Sequence, residues 1–193
     1  MISHLPSYAT NSATIGLIAG TLVERADGWL PVEDLRIGDA VQSYDGGLVR
    51  ILGLDRRWIT PNRGNYLLHM PGGALDNCSD LMLLPGQNLL IDTLSDDHFP
   101  DAIVALIPAA ALEGRLGVRR VPFEKPLEVV TPRFADDEAI FVNSGTLLHC
   151  PGIRQQAGAA TSDFFTLLDL VASQSLLSRL SGGYDDHPLR RAA

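Results

Sequence analysis

A chain of 193 residues, 46% of them hydrophobic, carries enough apolar matter to fill the core of one ordinary domain, which excludes wholesale disorder. A net charge of −8 argues against nucleic acid: phosphate neutralisation needs clustered Lys and Arg, whereas Arg56-Arg57, Arg119-Arg120 and Arg190-Arg191 are isolated pairs that read as solvated surface charge. The longest apolar run, Ile103 to Leu112, is too short to cross a bilayer, and no basic residue precedes Arg25, so no membrane contact and a cytoplasmic location are expected.

Residues 1–13 are rich in Ser, Thr, Asn and Pro and read as a flexible arm. From Thr14 the chain changes to short apolar runs broken by turn signals, the pattern of an all-β domain over 14–152. Ile15 to Val23 predicts a strand region, Asp27-Gly28 a tight turn, and Pro31 to Leu35 a single helical turn, since Pro is favoured at the first helical position. Ala40 to Tyr44 and Leu48 to Leu54 predict a hairpin about Asp45-Gly46-Gly47. Further strands are predicted at 65–70, 81–84, 88–92, 102–107, 118–121, 127–130, 140–142 and 146–150, with a short helix at Pro108 to Leu112. The segment 153–193 differs. Phe164, Leu167, Leu168, Val171, Leu177 and Leu180 recur near helical spacing after Thr161-Ser162-Asp163 and before Gly182-Gly183, which predicts an amphipathic α-helix over 161–181. Such a stripe packs on its own domain or serves a protein partner or a homo-oligomer.

Candidate chemistry is sparse. Cys78 and Cys150 are too few for a disulfide framework. His4, His69, His98, His149 and His187 are scattered, so no metal and no cofactor are expected. The acidic runs Asp96-Asp97 and Asp136-Asp137-Glu138 read as solvated loop charge, and Trp29 and Trp58 as apolar packing before ligand anchors. His149-Cys150 invites comparison with an activated thiolate, but neighbours in a strand face opposite sides, and Cys150 reads first as a small core residue.

The run Gly16-Leu17-Ile18-Ala19-Gly20-Thr21, followed by Pro31-Val32-Glu33-Asp34-Leu35-Arg36-Ile37-Gly38-Asp39-Ala40-Val41, resembles the opening of bacterial Hint (Hedgehog/intein) domains. Those begin Cys-aromatic-x-x-Gly-Thr and continue Pro-Val-Glu-x-Leu-x-x-Gly-Asp-x-Val. Asp80 to Leu90, Ile107 to Leu112 and Gly117 to Val121 are similar to segments that follow in the same order. The resemblance implies an intein-like horseshoe of short strands. It also implies an autoprocessing reaction, in which the first residue's side chain attacks the preceding carbonyl and a later Thr/Ser-x-x-His block assists. Carried over residue by residue, the nucleophile position is Gly16, the hydroxyl position Leu84 and the histidine position Gln87. Glycine offers no attacking atom, and a glutamine amide does not titrate near neutral pH.

The resemblance therefore implies a degenerate, catalytically inactive Hint-like module that binds or scaffolds, with no catalytic residues. The alternatives are residual autoprocessing and an unrelated enzyme reusing the cleft. Thr21, Gln87, His149 and Cys150 are the candidates for a residual site, with His69 a further one for a different enzyme. Ser12, Thr14 and Thr21 stand too far along the strand to replace residue 16, since two residues displace an atom by roughly 6–7 Å.

Overall fold

The computed structural model describes residues 15–62, 64–93, 103–155, 162 and 164–184, the last four of these by backbone alone. The N-terminal arm, Ser12, Thr14, His4, His98, His187, Asp96-Asp97 and Arg190-Arg191 lie outside the described residues. Within them the chain is all-β with a C-terminal helix, and its strands form two open sheets.

Ile15 to Val23, read as one strand region, is two strands in different sheets. β1 (Leu17–Ile18) ends at a turn in which the Thr21 amide and hydroxyl both donate to the Ile18 carbonyl, at 3.0 and 2.7 Å. Gly20 supplies φ +93° there, and β2 (Leu22–Arg25) emerges in the other sheet. The turn at Asp27-Gly28 returns β3 (Gly28–Pro31) against β2. The helical turn after Pro31 forms as a 3-10 turn at Val32–Asp34. β4 (Ala40–Ser43) and β5 (Gly47–Arg50) make the expected hairpin, and the run to Leu54 breaks at Ile51 before the longer β6 (Gly53–Ile59).

β7 (Leu67–Met70), β8 (Leu81–Leu83), β9 (Asn88–Asp92), β10 (Val104–Pro108) and β11 (Arg119–Val121) fall within two residues of expectation, as does the 3-10 turn at Ala109–Leu112. β12 (Leu127–Arg133) runs on beyond the expected end at Val130 and through Pro132. β13 (Glu138–Val142) and β14 (Thr146–Cys150) form a hairpin whose tip, Asn143-Ser144, holds positive φ.

The six-stranded sheet has the order β11-β7-β8-β1-β12-β6. The larger sheet places β10, β9, β14, β13, β2, β4 and β5 side by side, with β3 on β2. Its far edge is β15 (Thr166–Leu167), parallel to β10. One apolar cluster spans both sheets, from Leu17, Leu68 and Val130 to Leu89, Ile140 and Leu148.

The helix expected over 161–181 is shorter at its start. α1 covers Leu170–Tyr184, and the Asp169 carboxylate accepts the Ala172 amide as its N-cap at 2.8 Å. Ser162 caps a turn instead: its hydroxyl accepts the amides of Phe164 and Phe165. Phe164 and Phe165 lie in that turn and Thr166 to Leu168 is extended, because pairing with β10 overrides the helical spacing of the apolar residues. Gly182-Gly183 lie inside the helix rather than stopping it. Leu168, Leu176 and Leu177 belong to the main core, so α1 packs on the β domain. No helix among the described residues is long and apolar enough to cross a membrane.

Three surface expectations are corrected. Trp29 and Trp58 are not core: on β3 and β6 they remain 41% and 66% exposed. Asp137 is buried and Glu138 opens β13, so this acidic run is not a solvated loop. Arg57 is half-buried and committed to the Ile15 carbonyl, whereas Arg56 stays exposed, as expected, while bonding Glu128 and the Glu33 carbonyl.

Candidate functional site

Two chain crossings between the sheets build the site. The first runs from β1 to β2. The second is the turn Leu84-Pro85-Gly86-Gln87 from β8 to β9, closed by the Gln87 amide on the Leu84 carbonyl at 3.0 Å. The 3-10 turn after β10 fastens that turn from behind: Ala109 donates to the Gln87 carbonyl and Ala110 to the Pro85 carbonyl.

Gly16, immediately before β1, meets Gln87 directly. Its amide donates to Gln87 Oε1 at 2.8 Å, a buried contact across 71 positions of sequence. The Gln87 Nε2 group donates to the carbonyls of Asn88 and His149, at 3.0 and 2.8 Å. Both ends of the amide are thus committed, and Gln87 is 1% exposed. The two positions assigned to nucleophile and histidine are therefore neighbours in space. Leu84, the hydroxyl position, packs with Ile18, Leu67 and Val129 and brings no polar atom.

The antiparallel pairing of β1 with β12 sets Leu17 opposite Val130 and Ile18 opposite Val129, so Thr131 comes alongside Gly16. A Cβ at residue 16 would stand 2.5 Å from Val129 Cγ1 and 2.6 Å from Thr131 Oγ1. Gly16 also holds φ +123°, a backbone that side chains rarely adopt. The space for a side chain at this position is filled.

Sequence reasoning missed Arg57. It lies on β6, paired with Val129, and its Nη2 donates to the Ile15 carbonyl at 2.5 Å. Burial lowers the pKa of its guanidinium, and the charge of Asp55 works against that shift. The peptide unit Ile15–Gly16 is consequently held at both ends, its oxygen by Arg57 and its N–H by Gln87. Only β6 threading beside β12 reveals this, and no local pattern around Arg57 signals it.

The other candidates do not join the site through their reactive atoms. The Thr21 hydroxyl is spent on the Ile18 carbonyl. His149 contributes its carbonyl to Gln87, while its ring lies on the opposite side. There His149 Nε2 is 3.1 Å from Asp137 Oδ2, and the ring stands edge-on to Phe165 at 6.3 Å. Ser162 donates to the same carboxylate oxygen. Burial raises the Asp137 pKa, but the hydrogen bonds from His149 and Ser162 outweigh it and hold the carboxyl below its ordinary value. Cys150 faces the main core, fully buried, and burial drives its thiol pKa far up, so it stays protonated. His69 is distant, bonded to Asp80 at 2.7 Å. Among the described residues no three His, Cys, Asp or Glu side chains gather as a metal group. A cavity of about 260 Å³ beside α1, lined by Leu75, Leu89, Thr146 and Leu177 among others, includes none of these candidates.

No curated protein matches. Among solved structures, a bacterial intein-like domain from Clostridium thermocellum is similar at a TM-score of 0.52 and 16% identity, over 69% of this chain and 97% of that one. A splice-inactive variant of the AceL NrdHF class 3 split intein gives 0.49 and 11%, over 71% and 97%. The MchDnaB-1 intein gives 0.40 and 14%, over 68% and 98%. The first of these likenesses supports the fold. The model of the Hint domain family matches residues 15–147, which begins at the clamped peptide and ends within β14, and the chain belongs to that family.

Proposed function

We propose that this chain is a Hint domain that has given up the acyl shift of its family and keeps the cleft as a binding or scaffolding site. One observation carries the reading: the place of a residue-16 side chain is occupied by Val129 and Thr131, on a backbone at φ +123°. An attacking atom needs near-attack geometry at the Ile15 carbonyl, and here there is neither an atom nor room for one. Gln87 reinforces this. It accepts the Gly16 N–H and cannot deliver the proton that a departing amine requires.

The test is direct. Intact protein is incubated in buffer, with a strong thiol, and with hydroxylamine, and its mass is followed. A single unchanged mass is expected under all three conditions. Release of a fragment ending at Ile15 would overturn the reading. It would favour residual autoprocessing, for which the Thr131 hydroxyl is the group beside Gly16.

The same proposal treats 14–152 as the functional unit and 153–193 as its helical appendage, with residues 1–13 a separate arm. The net charge of −8 supports a site that does not take nucleic acid. Cys78 and Cys150 are both free thiols, which supports a cytoplasmic home.

A further inference from the structure

We infer that Arg57 and Gln87 form a two-point clamp for one secondary amide, with the chain's own Ile15–Gly16 peptide as its occupant and Arg57 placed where an oxyanion would develop. This deepens the proposed function by naming what the cleft binds, and it rests on residue 16 marking that cleft.

Arg57 is costly where it stands. A guanidinium half-withdrawn from water normally finds a carboxylate. The carboxylate on its own strand, Asp55, is instead the partner of Arg133 at 3.3 Å, and the hydrogen-bond acceptor of Arg57 is the neutral Ile15 carbonyl at 2.5 Å. The Arg57 Nε is also buried and has no partner among the described residues. A partly desolvated cation aimed at a peptide oxygen draws electron density from that carbonyl carbon. Gln87 holds the other end of the same unit by its N–H at 2.8 Å and is itself fixed by the Asn88 and His149 carbonyls. An amide held at both ends, by a strand residue that is charged and by a turn residue, is fixed in orientation and polarised. The electrostatic half of an acyl-transfer site is therefore in place, while the nucleophilic half is absent at Gly16.

Two measurements test this. In the unmodified chain, the carbonyl carbon of Ile15 should resonate downfield in a 13C NMR spectrum. It should move upfield in Arg57→Met, and Arg57→Lys, which keeps a cationic donor, should fall between the two. In the second, a nucleophile is installed with room made for it: Gly16→Cys, Gln87→His, Val129→Ala and Thr131→Ala together. The new thiol would attack the Ile15 carbonyl carbon. The C–N bond would break as the amine takes up a proton, leaving a thioester that added thiol exchanges, releasing residues 1–15. Adding Arg57→Met to that chain should slow the release about 100-fold, the scale of one lost oxyanion donor.

An Ile15 resonance that ignores Arg57 would overturn the clamp, as would release rates that are equal with and without the Arg57→Met substitution. Should the installed chain stay whole in both forms, the resonance alone decides. Self-cleavage by the unmodified chain would sink the proposed loss of activity yet leave the clamp standing, so the two failures are distinguishable.

Discussion

Gly16 shows how one residue both specifies a structure and limits a chemistry. Two forces oppose any side chain there. The left-handed backbone costs an L-residue roughly 1–2 kcal/mol, and contacts of 2.5 and 2.6 Å with Val129 and Thr131 cost about 1–3 kcal/mol more if the strands must part. Gly16→Ala should therefore lower stability by about 2–5 kcal/mol in urea denaturation. Adding Val129→Ala should recover part of the loss; no recovery would mean that backbone strain alone is responsible. Gln87 is the complementary case, since it fills no forbidden space but satisfies three buried backbone groups. Gln87→Ala leaves the Gly16 N–H without its acceptor and should cost about 2–4 kcal/mol, at about 1–3 kcal/mol for each unsatisfied group and with water able to reach some of them. A cost near zero would show that the amide is not needed to hold the peptide.

At the scale of elements, the hairpin of β13 and β14 is fastened to the segment before α1 by a buried triple contact. Asp137, just before β13, meets the His149 ring with its carboxylate and also accepts the Ser162 hydroxyl. Its folded pKa lies below the ordinary carboxylate value, so the native state holds fewer protons than the unfolded chain between the two values. The stabilisation is thus full above the ordinary value of about 3.9 and is lost as pH falls through the lower folded value. Asp137→Asn should flatten the acid side of a stability-against-pH curve, while an unaltered acid limb would assign it to other carboxylates. Nothing local announced this contact. Asp136-Asp137-Glu138 looks like any solvated acidic loop, and only the pairing of Ala139 with His149 turns Asp137 inward. By contrast Asn88 to Asp92 and Thr146 to Cys150 were legible residue for residue, because their apolar runs are bounded by turn signals on both sides. The alignment of Gly16 with Gln87 was legible for a related reason: each sits at a fixed offset from a motif. Arg57 was not, since its role depends on which strand lies beside β12. The start of α1 failed because apolar spacing near the helical period cannot say that Thr166 to Leu168 pairs with β10.

For the whole molecule, the residues that carry the family resemblance turn out to be fasteners of the scaffold. Glu33 accepts the Gly20 amide at 2.7 Å, Val32 donates to the Thr21 carbonyl, and Asp39 accepts the Arg36 amide at 2.9 Å. These contacts close the crossing from one sheet to the other and make no demand on the chemistry at residue 16. Because these contacts do not pass through residue 16, a fold held in this way does not depend on which side chain stands there, and fold and activity are separate questions. The helix α1 extends the same scaffold: Leu176 is fully buried in the main core, whereas Val171 is 65% exposed. The two positions separate self-packing from partner binding. Leu176→Ala should cost about 2–5 kcal/mol in thermal or urea unfolding, as a cavity in a core does. Val171→Glu should change stability by no more than about 0.5 kcal/mol. Light scattering on the folded variants then reads the remaining question. If α1 serves only its own domain, the molar mass of Val171→Glu equals that of the unmodified chain. A lower mass would place a second copy on this helix, the homo-oligomer alternative that the apolar stripe over 161–181 leaves open.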